Sequence, residues 1–127
     1  MSGPVLPRHH LEIEVEDDRA AVRLTISRDD SPVFAARLEG PELDELIRAL
    51  GQGRRQLADP VAPELDEHAR LTDAVDDPAY LVGTNTPKRS ALLALRHPGF
   101  GWLGFQLRRP VVERVVERLS AWLDRTA

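Results

Sequence analysis

The chain has 127 residues, 42% of them apolar and 30% charged, with a formal charge of −4 and no cysteine. These figures fit one folded domain, 1–127, long enough to bury a core. They exclude a disordered chain, a disulfide scaffold, a thiolate metal site and thiol chemistry, and the negative charge argues against a general nucleic-acid binder.

In chain order, Met1–His10 contains two prolines and lacks the apolar stretch of a signal peptide. It reads as a mobile tail. Its His9-His10 pair is solvent-exposed on this reading, because adjacent side chains on an extended chain point opposite ways and do not share a metal ion. Leu11, Ile13 and Val15 then alternate with polar residues, as do Val22, Leu24 and Ile26, and then Phe34, Ala36 and Leu38. Period two marks strands with one face on a core. Asp17-Asp18 and Arg28–Pro32 supply the turns between them. Leu43, Leu46, Ile47 and Leu50 stand at i, i+3, i+4 and i+7, which predicts an amphipathic helix opening with Pro41 at its first position.

Gly51–Ala79 forms a linker too long for a bare loop. Arg54–Leu57 is expected to extend the first helix, and Glu64–Val75 to hold a short one with Leu65, Leu71 and Val75 inward. Glu64 and His68 have helical i, i+4 spacing, which we read as a surface ion pair rather than a metal site. The strand pattern then returns in Tyr80, Val82 and Thr84, in Ala91, Leu93 and Leu95, and in Leu103, Phe105 and Leu107. Thr84–Lys88 and His97-Pro98-Gly99 mark the turns, and His97 reads as structural. A second helix is predicted from Pro110 to about residue 125, with Val112, Val115, Val116 and Leu119 on one stripe.

Leu11–Leu50 therefore lies over Tyr80–Leu119 without a gap, at an offset of 69 residues. The expected fold is α+β: a tandem βββα repeat, 11–50 and 80–119, with two antiparallel meanders, each followed by an amphipathic helix, related by a pseudo-two-fold. The copies differ in charge. Residues 11–50 hold 5 basic and 11 acidic residues, net −6, and residues 80–119 hold 7 and 2, net +5. Each half is expected to complement the other, within the monomer or across a dimer.

The outward-facing strand positions differ as well. In the first repeat they are Glu12, Glu14, Glu16, Arg23, Thr25, Val33, Ala35 and Arg37, a wet face. In the second they are Leu81, Gly83, Asn85, Leu92, Ala94, Trp102, Gly104 and Gln106, with Phe100 expected beside Trp102. A sheet that is apolar on both faces is normally covered on both. Leu81, Leu92, Phe100 and Trp102 are thus the expected partner-binding or dimer face, buried by the linker or by a second subunit. Arg108 and Arg109 precede Pro110 at a helix N-terminus, where cations oppose the macrodipole. Each is expected to find a carboxylate from the first repeat or the linker. With Lys88, Arg89 and Arg96 they form the candidate anion-binding group.

No serine or threonine lies in a nucleophile elbow or a phosphate loop. The glycines of Gly99–Gly104 lead along a strand, not into the helix start that phosphate binding needs. No metal ligand set, cofactor or catalytic residue is expected. The layout resembles that of the Whirly and PUR-repeat single-strand nucleic-acid binders, which use four strands per repeat where three are counted here. No diagnostic motif accompanies the resemblance, so no functional residue is carried over.

The expected function is that of a non-enzymatic protein-binding or adaptor subunit, a homodimer in the cytoplasm of a bacterial cell. The bacterial origin follows from an arginine-rich coding bias in which Lys88 is the only lysine. The alternative is a single-stranded nucleic-acid binder using Trp102, Phe100 and the basic residues of the second repeat. No apolar run reaches the length of a membrane span.

Overall fold

The computed structural model describes residues 8–65 and 74–127. The chain divides into two units, Met1–Glu64 and Leu65–Ala127. The first contains β1 (His9–Val15), β2 (Ala21–Arg28), β3 (Ser31–Glu39) and α1 (Gly40–Gln56). The second contains β4 (Tyr80–Asn85), β5 (Ser90–His97), β6 (Gly101–Arg108) and α2 (Arg109–Thr126). Each unit is a three-stranded antiparallel meander followed by a helix, with the second strand at the centre of its sheet.

The registers show why the alternating residues form these strands. Leu11 pairs with Ile26, Ile13 with Leu24 and Val15 with Val22. Across the next ladder Val22 pairs with Leu38, Leu24 with Ala36 and Ile26 with Phe34. One face of the first sheet is therefore apolar from edge to edge, and a register slip of one residue would turn all of it to the other side. The second sheet does the same through Tyr80–Leu95, Val82–Leu93, Leu93–Phe105 and Leu95–Leu103. These pairings stand 69 positions from their counterparts in the first sheet. The correspondence stops at one place: a register shift at Ile26/Ser27 seats Ser27 opposite Pro32, whereas Arg96 sits opposite Trp102.

The turns use residues that accept left-handed backbone. Asp29 and Asp30 both have positive φ, 49° and 65°, in the two-residue connection between β2 and β3. That is the backbone of a turn matched to the twist of a hairpin. In the first hairpin the Ala20 amide donates to Asp18 Oδ1 at 3.0 Å. In the β5–β6 connection His97 Nδ1 accepts from the Gly99 and Phe100 amides at 2.9 and 3.1 Å, and its ring stacks on Phe100 with centroids 4.4 Å apart. His97 is thus a turn-forming residue, as its position before Pro98 indicates.

Three boundaries differ from the sequence reading. His9 and His10 are not tail but the start of β1, opposite Arg28 and Ser27, because the β2 edge satisfies their backbone. Both remain exposed, with His10 Nε2 3.5 Å from Glu12. Both helices begin one residue early, at Gly40 and Arg109, so each proline takes the second helical position, where its missing N–H still costs no intrahelical bond. Helix α1 continues through Gly51 and Gly53 to Gln56, and Leu57 caps it through its amide on the Arg54 carbonyl. The short helix expected over Glu64–Val75, and His68 with it, fall mostly on 66–73, outside the described residues.

Among the described residues, full burial is confined to the central strands. Ala21 and Ser90, at the same place in each sheet, are 4% and 7% accessible, and Leu24 is also buried. Neither helix has a buried residue. The apolar face of each sheet is half-buried along its centre and exposed at its edges, where Leu11, Ile13, Tyr80 and Val82 lie open.

A backbone prediction follows from Gly101, whose φ is +78°. Gly101→Ala is expected to cost about 1 kcal/mol, because an L side chain resists that conformation. Gly83→Ala is the control: its added Cβ would meet Leu92 at an ordinary 3.8 Å. Chemical denaturation of the two variants checks the difference.

Candidate partner-binding face of the second sheet

The second faces of the two sheets, opposite the apolar ones, are built on the same positions with different chemistry. On the first sheet Glu16 sits between two arginines. Its carboxylate accepts from Arg37 Nε at 2.6 Å and lies 3.6 Å from Arg23, while Arg37 also reaches Glu39 at 3.2 Å. The Glu16 hydrogen bond, with that of Glu39, pushes the Arg37 guanidinium further above its ordinary range, so this pairing holds at every pH at which the carboxylates are ionised. The face is a wet ion-pair lattice.

On the second sheet the counterparts of Glu16 and Arg37 are Asn85 and Gln106. Asn85 Nδ2 donates to Gln106 Oε1 at 3.2 Å, and Ser90 Oγ donates to the same oxygen, also at 3.2 Å. The cross-sheet contact survives while both charges are gone. Arg23 is replaced by Leu92, which lies between two glycines: a Cβ on Gly83 would stand 3.8 Å from Leu92, and one on Gly104 3.6 Å. With no side chains there, both flanks of Leu92 are open. The neutral pair was missed in the sequence; its signal is the joint loss of charge at two positions that pair across the sheet.

Around Leu92 the apolar surface continues. Leu81 is 58% accessible and Trp102 56%, while Leu92 itself is half-buried by its own sheet. The cover expected for Leu81 and Trp102, residues 51–79 or a second subunit, lies partly outside the described residues. Phe100 is exposed too, but it lies in the turn before β6 with its ring on His97 rather than on the sheet beside Trp102. Trp102 stands directly opposite Arg96.

Lys88, Arg89, Arg108 and Arg109 lie at one end of the sheet, where Ser90 pairs with Arg108, and Arg96 lies at the other, opposite Trp102. Arg109 Nε donates to Glu113 Oε1 at 2.8 Å, an i, i+4 pair within α2, so its counter-charge comes from its own helix and not from the first repeat. No carboxylate lies within ion-pair reach of Lys88, Arg89, Arg96 or Arg108 among the described residues. Arg89 and Arg109 flank an open cleft of about 710 Å³ between the start of α2 and the apolar sheet face, lined also by Thr84, Ala91, Leu107 and Val112. Ser90 and Glu113 line it too, and Glu113 is already paired with Arg109, so the cleft is no cage for an anion.

Among the described residues no group of His, Asp and Glu is placed to hold a metal ion, and no helix is long and apolar enough to cross a membrane. Compared with known protein families, characterised proteins and solved structures, the chain matches none.

Gln106 is the shared acceptor of this face. Gln106→Ala is expected to lower stability by about 1–2 kcal/mol, because it strips the buried Ser90 hydroxyl and the Asn85 amide of one partner. Urea denaturation of the variant beside Thr86→Ala, which touches none of this network, measures it.

Proposed function

We propose that the chain is a non-enzymatic protein-binding or adaptor subunit, acting as a self-associating protein of the bacterial cytoplasm, and that its two units are copies of one βββα module related by an approximate two-fold. The matched registers 69 residues apart support the repeat. The observation that carries the function is the exchange of Glu16–Arg37 and Arg23 for Asn85–Gln106 and Leu92. One module keeps a hydrated ion-pair face, and the other presents Leu81, Leu92 and Trp102 on a surface where an amide pair stands in place of the ion pair. An exposed contiguous apolar patch of this kind marks an interaction site, and an aromatic anchor beside small residues suits a protein surface.

A second reading rests on one specific placement. Trp102 is open and faces Arg96 across the ladder, the combination of a stacking ring and a cation that single-stranded nucleic acid uses. The two readings part at Trp102→Asp. On the adaptor reading the variant loses the association carried by this face, or melts at a lower temperature, since a charge is placed on a surface that is dry when occupied. Sedimentation velocity and thermal melting provide the readouts. An unchanged mass and melt, with loss of binding to a single-stranded oligonucleotide that the unaltered protein binds in a salt-sensitive way, would replace the adaptor reading with the second.

A further inference from the structure

The second face of the second sheet carries more than an apolar patch. No acidic residue occurs in β4, β5 or β6. Arg96 shares this face with Trp102, directly opposite it. Arg108 shares it by alternation along β6, and its counterpart Glu39 is bonded to Arg37 on the same face of the first sheet. Neither Arg96 nor Arg108 has a carboxylate within ion-pair reach among the described residues. Ser90 pairs with Arg108 and Arg96 with Trp102, so the two arginines bracket Leu92 at positions six residues apart along β5. At about 3.4 Å per residue that is a span of about 20 Å.

We infer that the partner on this face is an amphipathic helix of another protein, with its apolar stripe on Leu81, Leu92 and Trp102 and a carboxylate near each end on Arg96 and Arg108. The inference rests on the adaptor reading and gives that partner its chemistry. An extended segment laid on a sheet face would leave its backbone groups unpaired, whereas a helix satisfies its own, and helices ordinarily cover sheet faces. A helix crosses the span in roughly 13 residues at about 1.5 Å each. Gly83 and Gly104 flank Leu92 at backbone angles that do not require glycine, in ladders without a register shift. Glycine inside a strand weakens it, and with no bulge to serve, what it leaves is room for a close neighbour.

Charge separates this occupant from the chain's own helices, in the same copy or in a second one. Helix α1 has Glu42 in its first turn but Arg54 and Arg55 in its last. Helix α2 opens on Arg109, and its first acid, Glu113, is already bonded to that arginine. Neither offers a free carboxylate at both ends, and like charges set against each other across an interface suppress a pairing. Nucleic acid fits less well, because its charges recur along the whole backbone, while between the two arginines the face offers only leucine, small residues and amides. A carboxylate in the last turn of a helix opposes the macrodipole, so acids at both ends are a distinctive mark of the partner.

The test is selection of a displayed library of random peptides, each about 20 residues long and so able to cross the face as a helix, on the 127-residue chain. The expected peptides carry an apolar helical stripe with Asp or Glu near both ends. Their binding should weaken as salt rises from about 0.1 M to about 1 M and the screening length falls from about 10 Å to about 3 Å. Arg96→Gln with Arg108→Gln, both at exposed positions, should weaken them roughly tenfold, the size of two exposed ion pairs. Selection on Arg96→Glu with Arg108→Glu should return Lys or Arg at the same ends. Thermal melting of each variant confirms that it folds. Peptides that are lost with Trp102→Ala yet show no preference for acids, or that both arginine variants hold unchanged, overturn the inference and leave the adaptor reading standing. Absence of any peptide that depends on Trp102 removes both. Displacement of the selected peptides by a single-stranded oligonucleotide assigns the face to nucleic acid and overturns the inference.

Discussion

The whole structure turns on one constraint. A three-stranded meander whose residues alternate strictly has one apolar face, and a single amphipathic helix of 17 or 18 residues follows it. Period-two alternation fixes which side chains share that face, and the ladder fixes their partners. Leu24 and its neighbours at the centre gain burial from the strands on either side. On the edge strands only Ala36, Leu38 and Leu107 are even half-buried on that face, and neither helix buries a residue. A sheet of three strands with an apolar face, or one packed against a helix, is the smallest expected to stand by itself. Much of the apolar face is left open in each unit.

Against that shared constraint, the opposite faces are free to diverge, and they diverge in a coordinated way. Glu16 and Arg37 form a close ion pair on an exposed surface, a contact that contributes little to stability in water. Replacing it by Asn85 and Gln106 keeps a hydrogen bond at the same place and removes two charges that would be costly to dehydrate. Loss of Arg23 for Leu92, and of side chains at Gly83 and Gly104, follows the same direction. A face that must stay wet has no use for such changes; a face that meets another surface does. The pattern is therefore about desolvation rather than about the stability of the single chain.

Much of this was legible in the sequence, for identifiable reasons. Strands, helices and the offset of 69 were readable because periodicity is a local signal and because turn residues such as Asp29-Asp30 and His97-Pro98 sit where the backbone needs them. The sequence misplaced His9 and His10 because nothing in two polar residues shows that the Arg28 end of β2 extends far enough to pair with them. The extension of α1 over Arg54–Leu57 was readable too: the helix runs to Gln56, tolerating Gly51 and Gly53 at a modest propensity cost. At Arg109 the sequence pointed to an acid of the first repeat or the linker, since only coordinates decide between an i, i+4 neighbour such as Glu113 and a distant acid. Phe100 was placed beside Trp102 by parity, but parity applies within a strand and Phe100 lies before one begins.

Exposure is the property that sequence reasoning handles least well here, and the reason is physical. Periodicity reports which side chains prefer to leave water, not which surface receives them. Leu81 and Trp102 carry the same signature as a core residue, yet they sit on the face that the helix cannot reach. The distinction between a core position and an interface position lies in the partner, and a single chain encodes that partner only through what it leaves open and through the sign of the charges around the opening. In this chain the opening is plain: both units, with matched registers, carry apolar faces larger than their helices cover.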